Sequence, residues 1–474
     1  MKISFPVRIY LVALILRLVP VLVTRGLGIG LDDMFQYDML ARSLASGHGF
    51  RWYAKEDLRL LEPYVEFDLS TATGYNPETG VLTSFRAPLY PAFLAIVYFL
   101  FGMDFSRFFF ARLTQAILLG APLAPLTYLV SRRLFPDGEL TARASAWIVA
   151  CYPMLLLYPL GLGTENLFFV LVLSSFFFLL RSIEKPSRLQ LLLAGAFLGM
   201  TTLTRSVIFL FAGIAILYLL YLHGRQAIFS GIVFVLVVTP WIIRNSLLHH
   251  KITGIETSMG YNLYLGYHPQ GNGSFIFGPS LDLLTIMDDS VRDEFGTRKA
   301  VEFIRGQPER FVRLAINRLG FFFGLEKRVL MYFYSNNLIG FISRPLLLIF
   351  STILLAPFAG VALLAAFSLP ALKCDDRTAI LAALLAAYTL PHVFILAEDR
   401  FHLALVPFLA ILAVQGWTFF ADKQVRSAAN NALLWFSVLL ALLLLANWGI
   451  ELHRDADKIA RLLGPDGNQT FFPY

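Results

Sequence analysis

Apolar positions in this chain come in long unbroken runs, with polar residues gathered between them. A helix needs about 20 apolar residues to cross about 30 Å of hydrocarbon. Twelve runs approach that length: residues 6–24, 88–102, 107–131, 141–160, 164–181, 189–204, 206–222, 226–246, 342–369, 378–397, 402–421 and 430–449. The run 88–102 is the exception. As a helix it reaches only about 22 Å at about 1.5 Å per residue, and Pro88 and Pro91 open it.

Basic residues decide how to place that short run. If it crossed, Arg132 and Arg133 would fall outside, and every later basic loop would be inverted relative to Lys2 and Arg8. If it lies in the interface, eleven spans remain. The loops carrying Arg132, Arg133 and Arg143, then Arg181, Lys185 and Arg188, then Arg225, then Lys373 and Arg377, then Lys423 and Arg426 all share the cytoplasmic side, as the positive-inside rule asks. The expected fold is therefore an all-α polytopic membrane protein of about eleven transmembrane helices, N-terminus inside and C-terminus outside. Its parts are a first span (1–24), a first outer loop (25–106), a helix bundle (107–246), a second outer loop forming a small helical cap (247–341), C-terminal spans (342–449) and an outer tail (450–474). The first run carries Arg17 and has no convincing small-residue cleavage site, so it reads as an uncleaved span rather than a signal peptide.

Composition agrees with the pattern and adds exclusions. Of 474 residues, 57% are hydrophobic and only 15% charged, which rules out a cytosolic enzyme and a disordered chain. The net charge of +7 is spread through short loops. It is a topology signal and a match to membrane lipid headgroups, with no nucleic-acid partner implied. Cys151 lies in an apolar run and Cys374 in a charged loop, so no disulfide framework or metal-ligand spacing is expected.

The informative charges are those at span ends on the outer side. Both long loops face that side, as do the junctions at Thr164-Glu165-Asn166, Thr204-Arg205-Ser206 and Glu398-Asp399-Arg400-Phe401-His402. Charge buried at the hydrocarbon edge costs a few kcal/mol, so their convergence marks a candidate site. In the first outer loop, Met34, Tyr37, Leu40, Ala41 and Leu44 repeat at helical spacing, opposite Gln36, Arg42, Ser43 and Ser46, and Gly47 stops the pattern. This predicts a short amphipathic helix in the interface, opened by Asp32-Asp33. One N-cap needs one Asp, which leaves a second carboxylate as a candidate general base. Asn76 to Gly80 predicts a turn joining two short strands. Arg86 immediately precedes the short apolar run, where a guanidinium suits a phosphate whose lipid tail stays in the bilayer.

The order Asp33-x3-Tyr37-x3-Ala41, then Gly47-x-Gly49-Phe50, then Phe85-Arg86-Ala87-Pro88-Leu89-Tyr90-Pro91, resembles the bacterial membrane glycosyltransferases of the GT-C class. These are relatives of dolichyl-phosphate-mannose–protein mannosyltransferase and of the aminoarabinose transferase that modifies lipid A. Leu203-Thr204-Arg205, the stretch Gly260 to Gly266, and Arg400-Phe401-His402-Leu403 before Pro407 continue the resemblance over most of the chain. It implies a GT-C-like fold with juxtamembrane helices in the outer loops, a polyprenyl-phosphate sugar as donor, and inversion at the anomeric carbon. The family's catalytic Asp maps onto Asp33, with Asp32 the alternative. Many relatives have Glu after that Asp where this chain has Met34, and some have a basic-Pro-Pro motif where it has Arg86-Ala87-Pro88; these departures leave the sugar and the acceptor open.

With such a donor, transfer leaves a phosphate monoester, and Arg86, Arg205 and Arg400 are the candidate cations for it, with His402 nearby. Asp33 would take the proton of an acceptor hydroxyl or amine, and Tyr37, Glu165, Glu398 and His402 would position substrate. A phosphate leaves without a general acid, unlike the alkoxide in glycoside hydrolysis. No cofactor and no metal are expected, although a carboxylate–phosphate site can accept a divalent ion. Asp455-Ala456-Asp457 reads as an exposed helix face, His249-His250 is wrongly spaced, and Gly26-x-Gly28-x-Gly30 lacks a preceding strand. In the second loop, Tyr261, Asn262, Tyr264 and Tyr267 are candidate substrate contacts, with packing the ordinary alternative. The acceptor is a lipid, glycan or protein, and the setting a bacterial inner membrane with the site facing out. The competing readings are a secondary transporter or flippase and a lipid-linked polysaccharide polymerase or ligase.

Overall fold

The computed structural model describes residues 3–69, 72–427 and 430–471; Lys2, counted above with the inner basic residues, lies outside them. Among the described residues, seven helical stretches are long and apolar enough to cross a membrane: Phe5–Val23, Arg107–Leu134, Thr164–Glu184, Ser206–His249, Arg344–Ala371, Asp376–Phe394 and Asn431–Arg454. A bent pair, Glu139–Cys151 and Pro153–Leu160, makes an eighth. The expected number was eleven. The difference has a simple origin: Arg188–Thr204 and Val406–Ala421 are only 17 and 16 residues long, and Ser206–His249 contains two helices, Phe209–His223 and Ile228–His249. Every run read as a span is helical, and the short run 88–102 forms the 13-residue helix Leu89–Phe101.

The bend in the pair explains Arg17. The helix stops at Cys151 because Pro153 cannot supply an N–H, and the two halves diverge by 55°. Carbonyls left at the break need donors. Arg17, fully buried in the first helix, donates to Val149 at 3.2 Å and Ala150 at 3.2 Å as well as to Ala13.

Helix Thr164–Glu184 is the most enclosed of the long helices and packs on Arg188–Thr204, which packs in turn on Ile228–His249. Close approach between helices rests on small residues. A Cβ at Gly416 would overlap the Leu364 carbonyl oxygen of the neighbouring helix Arg344–Ala366. Gly416→Ala is therefore expected to destabilise the protein by about 1–3 kcal/mol, the usual cost of overpacking. A melt in detergent with an unchanged midpoint would contradict this.

The first long loop folds more tightly than a helix resting in the interface would. Helix Asp33–Ala45 begins on the Asp32 N-cap, whose carboxylate accepts the Met34 N–H at 2.9 Å. Gly47, at φ +77°, ends it in a conformation that favours glycine. Tyr37 and Ala41 pack against Leu89–Phe101, while Phe35 and Met39 pack into a cluster with Trp52 and Phe85. Its polar face is enclosed as well: buried Asp38 holds Arg42 at 2.9 Å, Arg107 at 2.8 Å and the Tyr98 hydroxyl at 2.9 Å. The strand expectation also needs correcting. Asn76 and Gly80 do form a bridged turn, but the strand after it, Val81–Leu82, pairs antiparallel with Arg51–Trp52, not with a strand just before the turn. Helix Lys55–Leu61 is inserted between the two strands.

The second long loop contains helices Met259–Tyr267, Phe277–Leu284, Asp289–Gly306 and Glu309–Phe322. It meets the first loop through Asp289, which accepts from the Thr83 hydroxyl at 2.5 Å and the Ser84 N–H at 2.6 Å.

Candidate active site

Asp33 stands one residue inside its helix, so the cap duty falls on Asp32 and the Asp33 side chain is left to point outward from the first turn. Its two oxygens face two arginines from opposite ends of the sequence. Arg86 donates to Oδ1, and Arg400 Nη2 lies 3.2 Å from Oδ2. Gln36, three residues further along the helix, accepts from Arg86 Nε at 2.8 Å and fixes that guanidinium. The Tyr37 ring lies beneath it, 5.3 Å from the guanidinium carbon.

From Asp33 the charges alternate. Arg400 Nε lies 2.7 Å from a Glu398 oxygen, a contact of charge rather than a directed hydrogen bond, and Arg400 Nη1 lies 3.8 Å from Glu165. Glu165 pairs with Arg205 at 2.7 Å, and Glu398 with Arg328 at 2.6 Å. Glu165 and Glu398 are each 8% exposed at the side chain, and Asp33 is the open member at 36%. The expected set of Asp32, Asp33, Tyr37, Arg86, Glu165, Arg205, Glu398 and Arg400 thus converges from the first long loop and three separate junctions. His402 does not join them. It is fully buried, with Nδ1 2.6 Å from the Phe322 carbonyl, Nε2 3.0 Å from Glu326, and its ring stacked on Phe358 at 3.9 Å.

Two residues of the ring escaped sequence reading. Arg328 ends the charged triplet Glu326-Lys327-Arg328, which follows an aromatic run as abruptly as Glu398-Asp399-Arg400 follows an apolar one; that signal was available. Gln36 carried none. In the second loop, Tyr261 packs edge-on against Phe85 beside the site. Tyr264 and Tyr267 go to packing: Tyr264 lies against Phe303, and Tyr267 donates to the Phe394 carbonyl at 2.8 Å.

The two adjacent acids are driven apart. Burial alone would raise Asp33, but Arg86, Arg400 and Arg328 overcome it and hold the carboxyl well below the usual range. Burial raises Asp32, and the neighbouring Asp33 charge adds to that rise. The two environments favour the charged form more strongly at Asp33 than at Asp32. Among the described residues, no group of three or more His, Cys, Asp or Glu is arranged to hold a metal ion.

Asp33, Arg400 and Arg328 line a cavity that also reaches Asp32, Arg112, Glu165 and Tyr158. The rest of its wall is largely apolar, including Leu27, Met34, Leu157, Leu162, Val329 and Phe333. Arginines and a largely apolar wall in one cavity suit an amphiphile with an anionic group.

Residues 85–246, which begin at the Phe85-Arg86 pair and run through Glu165 and Arg205, match the dolichyl-phosphate-mannose-protein mannosyltransferase family. Among solved structures, it is similar to an oligosaccharyltransferase from Archaeoglobus fulgidus tethered to an acceptor peptide. That similarity has 15% identity and a TM-score of 0.49, covering 100% of this chain and 60% of that one. The chain thus spans about 60% of that enzyme's length. It is also similar to ArnT from Cupriavidus metallidurans, bound to undecaprenyl phosphate (15% identity, TM-score 0.38, 98% of this chain and 84% of that one) and in the apo state (15%, 0.36, 98% and 83%). Comparison with curated proteins gives no sequence match. The matched stretch 85–246 holds two of the four arginines in the ring, Arg86 and Arg205.

One more acid in the ring's neighbourhood titrates in an accessible range. Burial first, with the Glu398 charge adding to it, pushes Asp399 up to about 6, against the pull of Arg328, His402 and Lys327. An unfolded Asp titrates near ~3.9. Between roughly pH 4 and pH 6 the folded chain keeps a proton that the unfolded chain has lost, so stability falls as pH rises and the penalty is complete above about pH 6. Asp399→Asn should therefore melt higher than wild type near neutral pH, with the gain vanishing at about pH 4. Equal midpoints at both pH values would refute this.

Proposed function

We propose that the protein is an integral-membrane inverting glycosyltransferase that moves a sugar from a polyprenyl-phosphate donor to a hydroxyl or amine of a lipid, glycan or protein. The observation that carries the reading is Asp33: a carboxylate lining a largely apolar cavity, with one guanidinium on each oxygen. The donor's tail lies along the apolar wall and its phosphate meets the arginines. The acceptor approaches the anomeric carbon from the face opposite the phosphate. Asp33 takes the acceptor's proton as the acceptor oxygen or nitrogen bonds to that carbon. The bond from carbon to phosphate oxygen breaks, its electron pair stays on the phosphate, and the product is a polyprenyl phosphate monoester. Guanidinium groups already in place stabilise that growing charge. A carboxylate held by two arginines is a weak base. When the donor's phosphate competes for Arg400, Asp33 loses one partner and gains basicity, so catalysis waits for the donor.

The site faces the outer side of a bacterial inner membrane in this reading, with the basic loops inside. The test is transfer of a radiolabelled sugar from polyprenyl phosphate in proteoliposomes. Transfer to added acceptor supports the reading. No transfer from any lipid-linked donor, together with protein-dependent solute uptake, replaces it with the transporter. A reporter fused after Leu134 should signal from the cytoplasm; an external signal would make 88–102 a crossing helix and scatter the site over two faces.

A further inference from the structure

Arg86 was the expected phosphate cation of the first loop, yet it does not line the cavity. Its guanidinium is committed to Asp33 and Gln36. Arg328 does line it, beside Arg400. The three charged residues after helix Glu309–Phe322 go to three different places. Glu326, 1% exposed, accepts from the Tyr152 hydroxyl at 2.7 Å and faces His402 at 3.0 Å. Lys327 pairs with Glu451 at 2.6 Å and also with Asp455. With both neighbours anchored elsewhere, the backbone presents Arg328 to the cavity, where Glu398 holds it at 2.6 Å. The turn that follows, Met331–Ser335, is a π-helix; such irregular turns concentrate at functional sites, and its Tyr332 and Phe333 form part of the cavity wall.

We infer that Arg328 and Arg400, tied together by Glu398, are the cation pair that receives the leaving phosphate of a lipid-phosphate donor, and that Arg86 instead orients Asp33. This rests on the transferase reading above. Two guanidinium forks match a phosphate's oxygens better than point charges do. Glu398 offsets one of the two positive charges, which leaves the pair attractive to the donor's phosphodiester without trapping the more highly charged product. The buried contacts of Glu326 and Lys327 keep Arg328 in place before the donor arrives, so little is reorganised on binding.

The test uses the full chain in detergent and undecaprenyl phosphate as probe, with undecaprenol as the uncharged control. The phosphate, and not the alcohol, should raise the melting temperature of the wild type. Loss of one charge-assisted contact should raise the half-saturating concentration roughly 10- to 100-fold in Arg328→Gln, and less in Arg86→Gln. Undecaprenyl phosphate should also protect Arg328 and Arg400 of the wild type from labelling by phenylglyoxal, a measurement that does not depend on a variant folding. If the wild type binds the probe but Arg328→Gln binds it equally well, or Arg328 labels at the same rate with and without it, the inference fails and the transferase reading stands. If the wild type does not distinguish undecaprenyl phosphate from undecaprenol, both fail.

Discussion

Asp33→Asn should lower sugar transfer by roughly 10²- to 10⁴-fold, the usual contribution of a positioned general base. The substitution keeps the shape of the side chain and its place in the first turn of the helix, so the protein should still reconstitute and bind donor. The matched control is Asp32→Asn. Asp32 caps the helix through the Met34 N–H, and Asn caps nearly as well as Asp, so that variant should retain most activity. Steady-state rates in proteoliposomes, with donor affinity measured separately, would separate lost chemistry from lost binding. Full turnover in Asp33→Asn would remove it as the base. Collapse in Asp32→Asn with activity in Asp33→Asn would move the role one residue back.

The second large effect is expected at Arg400, because it touches three carboxylates at once. It contacts Asp33 at 3.2 Å, Glu398 at 2.7 Å and Glu165 at 3.8 Å, and its own side chain is 20% exposed. Arg400→Gln leaves Glu398 with Arg328 alone and Glu165 with Arg205 alone, in a largely desolvated site. Removing one partner of a buried ion pair costs about 3–5 kcal/mol, and removing one preorganised donor to a developing anion costs about 10²- to 10³-fold in turnover. Both losses should appear together, as a lower melting temperature and a lower rate. Arg400→Lys should recover part of the stability, because the charge returns, and less of the rate, because the fork does not. A variant with wild-type turnover would exclude Arg400 from the phosphate site; one that is slow but fully stable would show that Arg205 and Arg328 satisfy the acids without it.

Much of the architecture was legible because a bilayer leaves few solutions. Backbone groups in hydrocarbon must be paired internally, so long apolar runs are helices, and every predicted span is helical. Span length was harder to read, since the helices Arg188–Thr204 and Val406–Ala421 fall short of a full crossing by length alone. The candidate site was legible in part for a related reason. Charge is scarce in this chain, and at span ends it is costly, so Glu165, Arg205 and Arg400 stood out. Arg328 showed the same abrupt signature and was missed only because it lies in a long loop, where charge is ordinary. His402 looked like a partner of Arg400 from its position two residues away, but the short helix turn carries it to the opposite side, into the Glu326 and Tyr152 network.

By itself the sequence determined the helical membrane fold, the short run at 88–102 that becomes the helix Leu89–Phe101, and the Asp32-Asp33 helix start, because hydrophobic run length, proline and capping preferences are local properties. Only the tertiary structure decided which acid caps and which faces the arginines, that Arg86 stands behind Asp33 rather than in the cavity, and that Arg328 stands beside Arg400. Those assignments depend on contacts between residues as far apart as Asp33 and Arg400. The energies of such ion pairs are set by distance and desolvation, neither of which is written in the order of residues along a chain.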